Sequence, residues 1–182
     1  MPSSILPMST GLRSPRETCT MPLRPTRLGG VVMEGDACDA CGRDDYRNPA
    51  VAVDAVALRE GAFGIEALLI RRGGDPEIWQ GRWAFPGGFV DYGEDPELAV
   101  LRELGEEAGV NGYNPIVLAI HGDPSRDPRK HIIALFYLVD VDSRAEPQGG
   151  DDAVDAAWVP IAGLTANEVA GSHIRIIEQI RK

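Results

Sequence analysis

The stretch GGFVDYGEDPELAVLRELGEEAGV, residues 87–110, limits what this chain can fold into more than any other. It sets seven acidic residues in a segment framed by glycines. Asp95 suits a helix N-cap, Pro96 the first helical position and Gly109 the stop, so the spacing predicts a helix over 96–108. Leu98, Leu101 and Leu104 give that helix an apolar side that can pack on a sheet. Glu103 stands three residues before Glu106 and four before Glu107, so the three carboxylates occupy adjoining faces. Each like-charged pair at that spacing works against the helix by roughly a few tenths of a kcal/mol. A divalent cation reverses the sign of that contribution, and oxygen ligands suit Mg²⁺, Mn²⁺ or Ca²⁺. The glycines ahead of the helix can bring backbone carbonyls to the same ion, because glycine tolerates close approach. A plain solvated acidic face is the alternative.

Around this segment the chain alternates between strand and turn. AVAVDAVAL (50–58) reads as a mostly buried strand, IEALLIRR (65–72) as a second, and REGAFG between them as the turn of a hairpin. RWAFP is a short extended piece, and NPIVLAIHG, HIIALFYLVDV and AAWVPI add three strands. TANEVAGSHIRIIEQIRK predicts a closing helix with Val169, His173, Ile176, Ile177 and Ile180 on one side. The folded domain is therefore expected over 50–182.

The first 32 residues differ in kind. They are rich in Pro, Ser and Thr, carry four arginines against one acid, and have no packable apolar pattern, so a disordered extension is expected. Such a segment fits an organellar transit peptide, or an upstream start with Met21 or Met33 the working one. Residues 33–49 form a short lead-in with Cys38 and Cys41 in CDACG. A zinc ribbon needs a second such pair, so a turn without metal is expected, a site shared between two chains being the lesser alternative.

The net charge of −10 argues against an electrostatic grip on nucleic acid or anionic lipid. No apolar run approaches the roughly 18 residues of a membrane span. Three cysteines are too few for a disulfide scaffold and point to a reducing, cytoplasmic setting, or to an organelle if 1–32 is a transit peptide. A polyphosphate ligand would need positive charge that a bound divalent cation can supply.

Read from Gly88, the acidic segment is G-x5-E-x7-R-E-L-x-E-E-x-G-V, with Gly88, Glu94, Arg102, Glu103, Leu104, Glu106, Glu107, Gly109 and Val110 at the fixed positions. It resembles the Nudix box, G-x5-E-x7-R-E-U-x-E-E-x-G-U with U aliphatic, at every one of them. The resemblance extends over roughly 50–182. It implies an α/β (α+β) fold, a Nudix-type α/β/α sandwich with a mixed β-sheet and the Nudix loop-helix. It also implies hydrolysis of a nucleoside diphosphate linked to another moiety, with Mg²⁺ or Mn²⁺ as cofactor. Carried onto this chain, Glu103, Glu106 and Glu107 become metal ligands together with the Gly87 carbonyl. Arg102 and Glu94 become the ion pair that orients loop and helix. The catalytic set is thus Glu94, Arg102, Glu103, Glu106 and Glu107. The general base is either a box glutamate or an acid of a later loop, where Glu146, Asp151, Asp152 and Asp155 are available, Asp151 and Asp152 being the named candidates.

WAFPGGFVDYGE and HGDPSRDPRKH resemble the ADP-ribose pyrophosphatase branch, which implies ADP-ribose as substrate and AMP and ribose 5-phosphate as products. On that resemblance Arg126 and Arg129, with Lys130 and His131 nearby, serve phosphate or ribose. Trp83, like Trp79 and Phe85, can stack on a base, although core packing is the commoner role of such rings. The enzymatic alternatives are a sanitising hydrolase of oxidised nucleoside triphosphates and an NADH or dinucleotide pyrophosphatase. The non-enzymatic alternative is an ADP-ribose sensor, for which a degraded box and a winged helix after the domain would be expected. A homodimer is a further expectation. Gly105, mid-helix, should cost about 1 kcal/mol relative to Ala.

Overall fold

The computed structural model describes residues 48–74, 77–150 and 153–182. In chain order the elements are β1 (Ala50–Val56), β2 (Leu58–Gly61), β3 (Gly64–Arg72), a 3-10 turn (Glu77–Trp79), β4 (Trp83–Ala84), β5 (Gly87–Phe89), α1 (Pro96–Ala108), β6 (Gly112–His121), β7 (Ile132–Val141), β8 (Ala153–Pro160), a second 3-10 turn (Ile161–Gly163) and α2 (His173–Ile180). The strands form two four-stranded sheets among the described residues. The first runs β5-β1-β7-β6 and is mixed, β1 lying parallel to β7 and antiparallel to β5. In the second, β3 pairs antiparallel with β2, β4 and β8.

Side chains alternate across each strand, and the alternation divides the core in two. Val53 and Ala55 of β1, Leu68 and Ile70 of β3, and Tyr137 and Val139 of β7 pack with Ala99, Val100, Leu104 and Ala108 of α1. Their neighbours Val56, Ala67, Leu69 and Phe136 pack with Ile176 and Ile177 of α2. Both sheets thus lie between the two helices, which is the α/β/α sandwich. Phe136 and Leu104 are fully buried, and burial of such side chains stabilises by about 1.5–3 kcal/mol each.

The ends of α1 follow from its caps. The Asp95 side chain accepts from the Glu97 N–H, Pro96 opens the helix, and Gly109 closes it in the left-handed region at φ 65°. The loop before β8 satisfies the last carbonyls: Gln148 N–H donates to Ala108 O and Gly150 N–H to Glu107 O.

Three expectations need correction. The hairpin partner of β3 is β2, whereas residues 50–56 belong to the other sheet. The apolar run hides a change of sheet at Ala57, which periodicity does not register. Leu98 is 63% exposed rather than packed. The helix instead buries Ala99 and Ala108, whose small side chains let it sit close to the sheets. The closing helix starts only at His173. Before it, Val169 bridges Trp83 in parallel and Gly171 turns the chain at φ 46°. The readings of residues 1–32 and of Cys38 and Cys41 fall outside the described residues. Among the described residues no helix is long and apolar enough to cross a membrane.

Gly87 and Gly88 matter because β5 crosses so close to its neighbours. A Cβ on Gly87 would fall on the Val53 carbonyl oxygen, and one on Gly88 on the Glu103 carboxylate. A backbone oxygen cannot move aside, so Gly87→Ala should destabilise by about 1–3 kcal/mol in urea unfolding. Gly105 faces open space, so Gly105→Ala should stabilise by about 1 kcal/mol. Equal stability of the two variants would contradict this packing.

Candidate active site

One guanidinium organises the acidic segment. Arg102 Nε and Nη2 donate to Glu94 at 2.8 and 2.9 Å, a two-point grip on one carboxylate. Its Nη1 donates to Glu103 at 2.8 Å and to Glu106 at 2.9 Å, and Nη2 also reaches the Phe89 carbonyl at 3.3 Å. Glu94 belongs to the loop, Phe89 to the end of β5, and Glu103 and Glu106 to the helix, so Arg102 ties all three together. The Arg102 hydrogen bond, helped by the Asp91 N–H, holds the Glu94 carboxyl at about 2. Glu103 goes the other way: burial raises it, with Arg102 opposing.

Glu107 sits one helical turn on, 7% exposed, and accepts from the Gly87 N–H at 2.8 Å. Glu103 and Glu107 line a cleft of about 340 Å³, together with Gly87, Gly88 and Asp54. Asp54 lies opposite Gly87 in the β1–β5 ladder and is 8% exposed. Burial lifts its carboxyl to about 7, with Arg126 pulling it down and Glu107 adding to the rise. Beneath it His173 is held at about 3 by burial first, then by Arg72 and Arg126.

Two arginines, Arg126 and Arg129, also line the cleft. Arg126 donates to Ser172 Oγ at 2.8 Å, and its buried Nε has no hydrogen-bond partner among the described residues. Arg129 is gripped by Asp127 through Nε and Nη2, at 3.0 and 2.9 Å, and lies over the Trp79 ring at 5.3 Å. Trp79 lines the cleft; Trp83 does not. Trp83 packs against the α2-side core with Arg71 over its ring, so it is not positioned as a base platform. Phe85 is a core residue set edge-on to Phe136. Lys130 lies over Phe89, and His131 pairs with the Gly122 carbonyl. Glu146 and Asp155 are exposed, and Asp151 and Asp152 lie outside the described residues.

Asp54 and His173 escaped the functional reading of the sequence. A lone acid in the apolar strand AVAVDAVAL was a usable signal, because buried carboxylates are rare without a role or a partner. His173 looked like one more residue on a helix face.

Among the described residues no three Asp, Glu, His or Cys side chains form a ready metal cage. Arg102 draws Glu103 and Glu106 to itself, and Gly87 holds Glu107. The donors are nonetheless all hard oxygens, and the Gly87–Gly88 backbone opens beside them without side chains. This set fits a small divalent cation rather than a soft metal.

Opposed shifts at Asp54 and His173 set the pH dependence of stability. The folded Asp54 holds its proton up to about 7 against an ordinary 3.8, so its stabilisation is present at low pH and lost as pH rises through that window. The folded His173 resists protonation down to about 3 against 6.5, so its contribution is present above 6.5 and lost as pH falls. In EDTA, Asp54→Asn should gain on the wild type by a few kcal/mol, to order of magnitude, between pH 4 and 7. Thermal midpoints measured against pH check this. A difference that stays flat across that range would contradict the buried carboxyl.

Comparison with known proteins agrees with this geometry. The NUDIX domain profile matches residues 48–180. The chain is 38% identical over 133 residues to the ADP-ribose pyrophosphatase of Methanocaldococcus jannaschii, covering 73% of each. It is 30% identical over 118 residues to the 8-oxo-dGTP diphosphatase of Escherichia coli, covering 64% of this chain and 87% of that protein. The NUDIX domain of Shewanella oneidensis NrtR, solved in complex with ADP ribose, superposes with a TM-score of 0.67 at 30% identity, covering 75% of this chain and 88% of that one. A complete box on α1, a sandwich that seats it beside a cationic cleft and a profile spanning the described fold make this chain a member of the Nudix family and a pyrophosphohydrolase.

Proposed function

We propose that the chain hydrolyses ADP-ribose to AMP and ribose 5-phosphate with Mg²⁺ or Mn²⁺ as cofactor. The observation that carries this reading is the cleft itself, which Asp54, Glu103 and Glu107 line together with Arg126 and Arg129. Similarity to an ADP-ribose pyrophosphatase and to an ADP-ribose-bound NUDIX domain supports it.

Nudix hydrolases generally need a divalent metal, which when bound neutralises phosphate oxygens and makes a coordinated water more acidic. Glu103, Glu106 and Glu107, with the Gly87 carbonyl, would hold it. Arg102 and Glu94 keep loop and helix in register while Glu103 and Glu107 line the cleft. Arg126 lines the cleft and its guanidinium suits a diphosphate oxygen, and the Arg129 fork, stiffened by Asp127, suits ribose or phosphate. The water's proton goes to a box glutamate or to Asp151 or Asp152. Gly150, just before that pair, is bonded to the end of α1.

Two finer readings accompany this. The protein works in the reducing cytoplasm, as its cysteine usage supports. It forms a homodimer through β6, the edge strand of the first sheet, where Tyr113, Ile116, Val117 and Ile120 are exposed. Light scattering of the purified chain should give twice the monomer mass; a monomer at high concentration would reject the dimer.

With Mg²⁺, ADP-ribose should give the highest kcat/KM in a panel with NADH and 8-oxo-dGTP, yielding AMP and ribose 5-phosphate in equal amounts, and EDTA should abolish turnover. Preference for 8-oxo-dGTP would promote the sanitising alternative. Glu103→Gln and Glu107→Gln should each lower kcat by about 100-fold or more with the fold intact. Arg126→Ala should raise KM by roughly 10- to 100-fold, the loss of a charged hydrogen bond worth about 1.5–3 kcal/mol. Near wild-type kinetics in all three variants would reject this site.

A further inference from the structure

At the cleft, outside the box, His173 makes a set of contacts that packing alone does not require. Its ring stacks on Phe85, centroids 5.8 Å apart and planes 21° apart, and meets Phe136 edge-on at 5.5 Å. Its Nδ1 lies 3.2 Å from the Phe85 backbone nitrogen, whose N–H donates to it. That ring nitrogen therefore carries no proton, and the imidazole proton sits on Nε2. Nε2 faces Asp54 Oδ1 at 3.7 Å, so the ring presents its N–H toward that carboxylate of the cleft.

Phe85 leads directly into the glycine loop. Three successive residues are then restrained in three directions. The Phe85 N–H is held by His173, the Pro86 carbonyl accepts from Ala55 N–H at 2.8 Å, and the Gly87 N–H donates to Glu107 at 2.8 Å. His173 is the first of these restraints and the only one that comes from α2. The same ring touches the loop on one side and faces Asp54, which stands opposite Gly87, on the other.

We propose that His173 is a positioning residue for hydrolysis: by anchoring Phe85 and facing Asp54 it fixes where the Gly87–Gly88 backbone meets the carboxylates of Glu103 and Glu107. The activity arm of the test rests on the hydrolytic reading above. The loop and metal arms do not.

His173→Phe keeps the aromatic volume and removes both nitrogens. In the full chain it should fold, yet exchange the backbone amides of residues 85–88 faster. It should bind Mn²⁺ about 10-fold more weakly by electron paramagnetic resonance and lose roughly 10- to 100-fold in kcat, as loss of an orienting partner does. KM should change less than about threefold, since the substrate-facing arginines are untouched. His173→Asn, which can keep an acceptor for the Phe85 N–H, should recover most of both losses, whereas His173→Gln, with its amide one carbon further out, should not. A folded His173→Phe variant with wild-type Mn²⁺ affinity, loop exchange and kcat would overturn the proposal. If His173→Phe fails to fold, equal behaviour of the Asn and Gln variants would overturn it instead. A wild type that leaves ADP-ribose intact refutes the substrate reading alone, because amide exchange and Mn²⁺ affinity still separate the variants.

Discussion

The rest of the structure depends on where one guanidinium puts its hydrogen bonds. Without Arg102, Glu94, Glu103 and Glu106 are like charges crowded at a loop–helix junction. With it, they become acceptors around a rigid fork. Isolated surface ion pairs contribute little stability, and nothing in the fold asks this one to do otherwise. Its effect is positional: it joins the loop after β5 to α1 and so decides which way the acidic face looks. Lysine could neutralise the same charge but could not hold one carboxylate at two points while touching two others and a carbonyl.

That junction sits at a cleft because of how the sheets meet. The chain leaves the first sheet at Ala57 and enters the second, and β5 returns to lie against β1 at van der Waals limits that glycine alone accepts. Glu103 and Glu107 of α1 and the Asp54 carboxyl then share one cleft with Arg126 and Arg129. The divided core keeps this arrangement stiff, since α1 and α2 each pack on both sheets from opposite faces. His173, at the start of α2, reaches through to the underside of the loop. Acids and arginines lining one cleft suit a diphosphate with a bound metal ion.

Much of this was legible before any coordinates. Asp95, Pro96 and Gly109 are local signals with local causes, so both ends of α1 could be read directly from the sequence. The box residues were legible through their resemblance to a known motif; helical spacing alone left Glu103, Glu106 and Glu107 open to being a solvated acidic face. What escaped depended on long-range pairing. The run 50–58 looks like one strand because burial on both faces erases the alternation that would mark its division between sheets. Leu98 looked like core because it falls at helical spacing with Leu101 and Leu104, whereas close packing selected Ala99 and Ala108. Trp79 and Trp83 are indistinguishable by composition; β4 pairing takes Trp83 into the second sheet, while Trp79 lines the cleft under Arg129. His173 could not be singled out, because its partner Phe85 lies 88 residues away.

The claim at the centre is that loop and helix, held together by Arg102, form an oxygen-lined site for a divalent cation at the mouth of the cleft. An anomalous difference map from crystals soaked in Mn²⁺ addresses it directly. The expected result is a peak contacting the Glu103 and Glu107 carboxylates beside Gly87, with Glu94 still paired to Arg102. A map with no peak at these carboxylates at saturating Mn²⁺, or with the ion held elsewhere on the chain, would contradict it.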